Sequence, residues 1–183
     1  MTRNLATTLS LALLALGLAG CASPGPGTPA PVAAATASQA ETPLRAVAAN
    51  LYSSGQPAPS QWPAIRARGV STVINLRPAG EMGDRDEAAE VAAAGMAYRQ
   101  LDVAGPEDIT HASAAQVQAW IDEAPGPVLV HCASGNRAGA LLALIAARNG
   151  MAPEDAIQLG RRAGMTSMEA PVRQALDLPD GDR

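Results

Sequence analysis

The chain has 183 residues, 48% of them hydrophobic but only 2% aromatic, and a net charge of −4. That length suits one ordinary domain, and with Phe absent the core must be built from Ala, Val, Leu and Ile. All basic residues are Arg, and a negative balance without a basic stripe argues against nucleic acid as a partner.

Met1 to Asn4 is a short polar start with one cation, Arg3, and Leu5 to Leu18 is an almost unbroken apolar run. It resembles a signal-peptide core and is short for a membrane-spanning helix. The run ends Leu18-Ala19-Gly20-Cys21, which looks like a bacterial lipobox, so residues 1–20 are expected to be removed and Cys21 lipidated. Residues 21–43 are rich in Pro and Ala and are expected to form a disordered tether. The globular domain is expected over residues 44–183, anchored through Cys21 to the membrane and facing the periplasm. Ala22 gives a slight preference for the outer membrane.

Leu51-Tyr52-Ser53 predicts a strand running into a turn at Gly55-Gln56-Pro57. Ser60 to Arg68 predicts a helix closed by Gly69, and Val70 to Leu76 (VSTVINL) a buried strand. A polar loop, Arg77 to Gly83, precedes a helix over Asp84 to Ala94, and Ala97 to Val103 reads as the next strand. A helix follows from Thr110 or Ser113 to about Ala124. Pro127 to His131 (PVLVH) is another buried strand, followed by helices over Ala138–Asn149, Pro153–Ala163 and Met168–Leu178. Strand and helix alternate, so the fold class is α/β, with a parallel central sheet flanked by helices.

In such sheets ligands bind at the carboxyl ends of the strands. There the sequence puts His131-Cys132-Ala133-Ser134-Gly135-Asn136-Arg137 between the PVLV strand and a helix. A strand–loop–helix turn aims backbone N–H groups at one spot, which suits an anion and favours a thiolate at Cys132. Gly135 lets the loop curl, and Arg137 offers a planar fork of donors for phosphate or sulfate. His131 is expected to orient the loop by hydrogen bonds. Ala133, Ser134, Gly135 and Asn136 are expected to line the bound anion, although Asn136 could equally shape the loop. The structural alternative is a buried core cysteine at a strand end. Two Cys and two His make no metal-ligand cluster at these spacings, and no cofactor is expected.

The segment HCASGNR resembles the signature loop of the protein-tyrosine and dual-specificity phosphatases. Together with Ser54-Gly55-Gln56-Pro57, Thr72-Val73-Ile74-Asn75-Leu76-Arg77-Pro78 and Glu81, it makes the stretch from Leu51 to Leu178 similar to the bacterial beta-lactamase-hydrolase-like phosphatase-like domain family. The resemblance implies a tyrosine-phosphatase-like fold of dual-specificity type and metal-free hydrolysis of a phosphomonoester. Cys132 would form a phosphocysteine and Arg137 would bind the phosphoryl oxygens. The substrate would be a phosphorylated small molecule or protein. Two features depart from the family pattern: four residues rather than five separate Cys132 from Arg137, and Ala138 stands where a Ser or Thr is common. The shorter spacing also suits a rhodanese-like sulfurtransferase working through a Cys132 persulfide. A catalytically weak anion-binding or envelope interaction module is the third reading.

In the resembling phosphatases a general acid lies about thirty residues before the cysteine. Asp102 has that spacing, with Glu107 and Asp108 on the same loop as alternatives. Arg77, at a strand end, either reaches the anion or pairs with Glu81 or Asp84 to order its own loop.

Overall fold

The computed structural model describes residues 42–179. The signal peptide expected over 1–20, the lipidation site Cys21 and nearly all of the expected tether lie outside the described residues.

Five short strands form one sheet: β1 (Arg45–Ala48), β2 (Leu51–Ser54), β3 (Thr72–Asn75), β4 (Ala97–Gln100) and β5 (Val128–His131), in the order β1-β2-β5-β3-β4. The three pairings among β2, β5, β3 and β4 are parallel, as the alternating pattern predicts, and β5 sits in the centre between β2 and β3. The addition is β1, which runs antiparallel to β2 on one edge with a bulge between Ala46 and Ala48. Its residues alternate between half-buried and exposed, as on an edge strand. Thr42 is tied to the domain: its Oγ1 donates to the Gln56 carbonyl, and the Gln61 amide bonds its backbone.

Among the described residues six α-helices flank the sheet: α1 (Trp62–Ala67), α2 (Glu87–Ala93), α3 (His111–Glu123), α4 (Asn136–Arg148), α5 (Pro153–Arg162) and α6 (Glu169–Ala175). Side chains alternate faces along a strand, and β5 shows the consequence. Val128 and Val130 join the larger core with Leu141, Leu142 and Leu144 of α4, whereas Leu129 packs with Trp62, Ile65 and Val91 on the α1–α2 side. The alternation continues past the strand, so His131 faces α1 and α2 while Cys132 falls on the α4 side.

The central helix α4 is buried from Arg137 to Ile145. It lies against α5 through Gly139 and Gly160. A Cβ on Gly139 would fall 2.4 Å from Met165 N and 2.6 Å from the Gly160 carbonyl, and one on Gly160 would meet Ala143 at 2.9 Å. Small residues at this crossing set how deeply α4 enters the fold.

Candidate active site

Cys132 follows directly on β5 and is wholly buried. The loop it opens is held from three sides by the backbone. Leu76 N–H donates to the His131 carbonyl at 2.9 Å and Gln56 N–H donates to the Ala133 carbonyl at 3.0 Å. At the far end, Gly139 N–H donates to the Gly135 carbonyl at 2.8 Å and starts α4. Gly135 has φ +94°, a left-handed conformation that a side chain rarely tolerates. This twist turns the Gly135 N–H back onto Cys132 Sγ, at 3.1 Å. The loop is tightly seated: a Cβ on Gly55 would lie 3.1 Å from the Ala133 carbonyl, and one on Gly135 would lie 3.2 Å from Arg45 Nη1. Ala133 and Ser134 remain exposed and form the rim.

Arg137 stands in the first turn of α4, five residues after Cys132. Nη1 donates to Glu81 Oε1 at 2.8 Å and to the Val103 carbonyl at 2.6 Å, and Nη2 donates to Glu81 Oε2 at 2.8 Å. A guanidinium carries five N–H groups. Those three contacts occupy its end, and leave Nε–H and the second Nη2–H, which lie along one edge of the plane. That edge is a two-pronged donor for an oxyanion. The Arg137 hydrogen bonds, followed by those of Arg77, hold the Glu81 carboxyl below the usual carboxylate range against the opposing effect of burial. The same pair holds the Arg137 guanidinium above its ordinary value.

Arg77 pairs within its own segment. Nε donates to Glu81 Oε2 at 3.3 Å, Nη2 to the Glu81 carbonyl, and Nη1 to Gln56 Oε1 at 2.8 Å. Glu81 therefore lies between two arginines. Asn136 is occupied by the segment after α5: its Oδ1 accepts from the N–H groups of Thr166, Ser167 and Met168, and its amide nitrogen donates to Ser167 Oγ. Its side chain thus binds the loop to a neighbour instead of lining the anion position. Asp102 is exposed, and its Oδ1 accepts from Gln100 Nε2 at 3.2 Å, the group that also donates to the Arg77 carbonyl. Its neighbour Val103 carries the carbonyl that holds Arg137. Asp108 accepts from Ala104 and Gly105 N–H and so braces the same loop, while Thr110 caps α3.

His131 is fully buried, and its Nε2 lies 2.7 Å from Oε1 of Glu87, itself only 2% exposed. Glu87 was not among the residues expected at the site. Read as a member of the first turn of a helix, it is indistinguishable from the flanking acids Asp86 and Glu90. The available signal is its spacing from Val91, which puts an acid on the apolar stripe of α2. Arg45 was likewise unanticipated; it comes from the edge strand and lodges between Gly135 and Gly164.

The model of a family described as "Beta-lactamase hydrolase-like protein, phosphatase-like domain" matches residues 43–149. The Beta-lactamase hydrolase-like protein of Agrobacterium fabrum is 39% identical over 113 residues, which are 58% of this chain and 26% of that protein. The chain thus spans about a quarter of that relative's length. Among solved structures, the nma1982 protein of Neisseria meningitidis z2491 superposes with a TM-score of 0.62 at 23% identity, covering 72% of this chain and 96% of that one. TpbA of P. aeruginosa, solved in complex with pTyr, superposes with a TM-score of 0.54 at 20% identity, covering 76% and 90%. Both share the tyrosine-phosphatase-like α/β fold described above.

Proposed function

The chain belongs to the beta-lactamase hydrolase-like, phosphatase-like domain family, and from that premise we propose that it is a cysteine-dependent phosphatase acting on a phosphomonoester. The carrying observation is the pairing of Cys132 Sγ, under the Gly135 N–H, with the free edge of Arg137. In the first step the Cys132 thiolate attacks phosphorus and the P–O bond to the leaving group breaks. The departing alkoxide takes a proton, for which Asp102 is the proposed donor. The phosphoryl oxygens rest on the loop N–H groups and on Nε–H and Nη2–H of Arg137, which follow the charge as it develops. In the second step water attacks the phosphocysteine, Asp102 receives its proton, and the thiolate leaves. Ala138 supplies no hydroxyl to assist that departure.

The pTyr bound to TpbA makes an aryl phosphate the first substrate class to test. The substrate is proposed to lie in the cell envelope, reached by a domain tethered through a lipidated Cys21.

The test uses the full chain carrying Cys21→Ser, so that Cys132 is its only thiol. Release of phosphate from an aryl phosphate should vanish in Cys132→Ser and fall steeply in Arg137→Ala. Thiocyanate formation from thiosulfate and cyanide, without phosphate release, would replace this reading with sulfur transfer, which the four-residue loop also admits. Inactivity in both assays would favour a binding module.

A further inference from the structure

Two carboxylates, Glu81 and Glu87, gather side-chain hydrogen bonds behind the Cys132 loop. Arg77 Nη1 donates to Gln56 Oε1 at 2.8 Å, and Gln56 Nε2 donates onward to Glu87 Oε2. From the opposite side His131 Nε2 meets Glu87 Oε1 at 2.7 Å, and Arg85 Nη2 stands 3.8 Å from Glu87 Oε2. The Gln56 amide has no freedom to flip, because an arginine offers only donors and the amide oxygen must face it. The Gln56 nitrogen therefore faces Glu87. Residue 87 must accept at both oxygens, and at 2% exposure no solvent can substitute for a partner. His131 accordingly carries its proton on Nε2. Its Nδ1 is buried with no partner among the described residues, so this tautomer leaves only a bare lone pair there.

We infer that Glu87 is a positioning residue for the chemistry at Cys132. By accepting from His131 it fixes the ring of the residue that leads into the cysteine. By accepting from Gln56, whose own N–H holds the Ala133 carbonyl, it joins the entrance of the loop to Arg77, Glu81 and Arg137 at the exit. Both ends of the loop are thereby set by acids from one segment, residues 81–87. The inference rests on the phosphatase reading for the reaction that the loop performs, but its geometry and its first readout do not depend on turnover.

Glu87→Gln is nearly isosteric but introduces an N–H where an acceptor is required. If its nitrogen faces Gln56, two donors meet. If it faces His131, the ring must move its proton to Nδ1, for which the described residues offer no acceptor. The two histidines of the chain allow direct observation of this by imidazole 15N spectroscopy on the Cys21→Ser chain. The parent should show His131 protonated on Nε2, and Glu87→Gln should shift it toward the Nδ1 form. Iodoacetamide should alkylate Cys132 more slowly, and kcat on an aryl phosphate should fall about tenfold or more with KM within about threefold.

The exchange Gln56→Glu with Glu87→Gln restores the donor–acceptor order along the Arg77–residue 56–residue 87–His131 chain and keeps the charge. It should recover the Nε2 tautomer, the alkylation rate and most of kcat. A folded Glu87→Gln with the parental tautomer and alkylation rate overturns the inference, as does an exchange variant that folds but stays as slow as Glu87→Gln. Should Glu87→Gln not fold, the exchange variant alone decides. A parent that hydrolyses no phosphate refutes the phosphatase reading, while the tautomer and alkylation measurements still judge Glu87.

Discussion

Replacing Arg137 by Lys keeps a positive charge at the start of α4 but removes the fork. In the parent, Glu81 and the Val103 carbonyl engage three of the five guanidinium N–H groups and leave two for substrate. An ammonium has three N–H groups in all, so serving the same two partners leaves one for a phosphoryl oxygen. Losing one hydrogen bond to a charged group corresponds to about 1.5–3 kcal/mol, or roughly a 10- to 150-fold fall in kcat/KM. Arg137→Ala loses both substrate donors and orphans a carbonyl, so roughly 3–6 kcal/mol, or about 10²- to 10⁴-fold, is expected. The assay is steady-state hydrolysis of an aryl phosphate by both variants, with thermal melting to confirm folding. Arg137→Lys within about threefold of the parent would refute the side-on clamp, since a point charge would then suffice.

Gly135→Ala should lower the melting temperature and abolish phosphate release, because the left-handed φ costs about 1–2 kcal/mol for any side chain and the new methyl meets Arg45 Nη1 at 3.2 Å; parental activity would refute the need for this turn. Glu81 contributes to stability through a lowered pKa, so its share is complete above an ordinary glutamate's value and is lost as pH falls through its folded value. The melting difference between parent and Glu81→Gln should therefore be widest near neutrality and close below about pH 4; a difference that instead grows in acid would contradict this assignment. Leu144, fully buried on α4, should cost about 2–5 kcal/mol as Leu144→Ala, measurable by urea unfolding. A loss under about 1 kcal/mol would mean that this part of the core collapses around the gap.

Of the four parallel strands, β3 and β5 were the most legible, because VSTV and PVLV are apolar and β-branched between clear turn residues. Their ends were less so: the sheet releases the chain at Gln100, three residues before the predicted limit at Val103, since Leu101 and Val103 bond the β3 end outside the regular ladder. The edge strand β1 escaped notice because Arg-Ala-Val-Ala is too short and too weakly patterned to separate from the tether that precedes it. At the site, Cys132, Arg137 and the loop between them were readable because strand, loop and helix are contiguous in sequence. The partners that aim them were not. Glu87 reaches His131 across 44 residues and Glu81 reaches Arg137 across 56, distances at which only the folded sheet shows which acid meets which base. For Asn136 the sequence left two roles open, shaping the loop or facing the ligand, and its contacts with residues 166–168 match the first.

The crossing of α4 over α5 has a bearing on how such a sequence can drift. Two absent methyl groups, at Gly139 and Gly160, fix the depth of the helix that bears Arg137. A methyl at either point forces the backbones apart, and the guanidinium would recede from a carbonyl now 2.6 Å away. The hydrophobic sheet beneath would tolerate such a shift far better than the clamp would. On the proposed phosphatase reading, a descendant with alanine at position 139 would keep its cysteine while losing its grip on a phosphate. Within this lineage, the two glycines should therefore separate active copies from silent ones more sharply than many residues nearer the thiol.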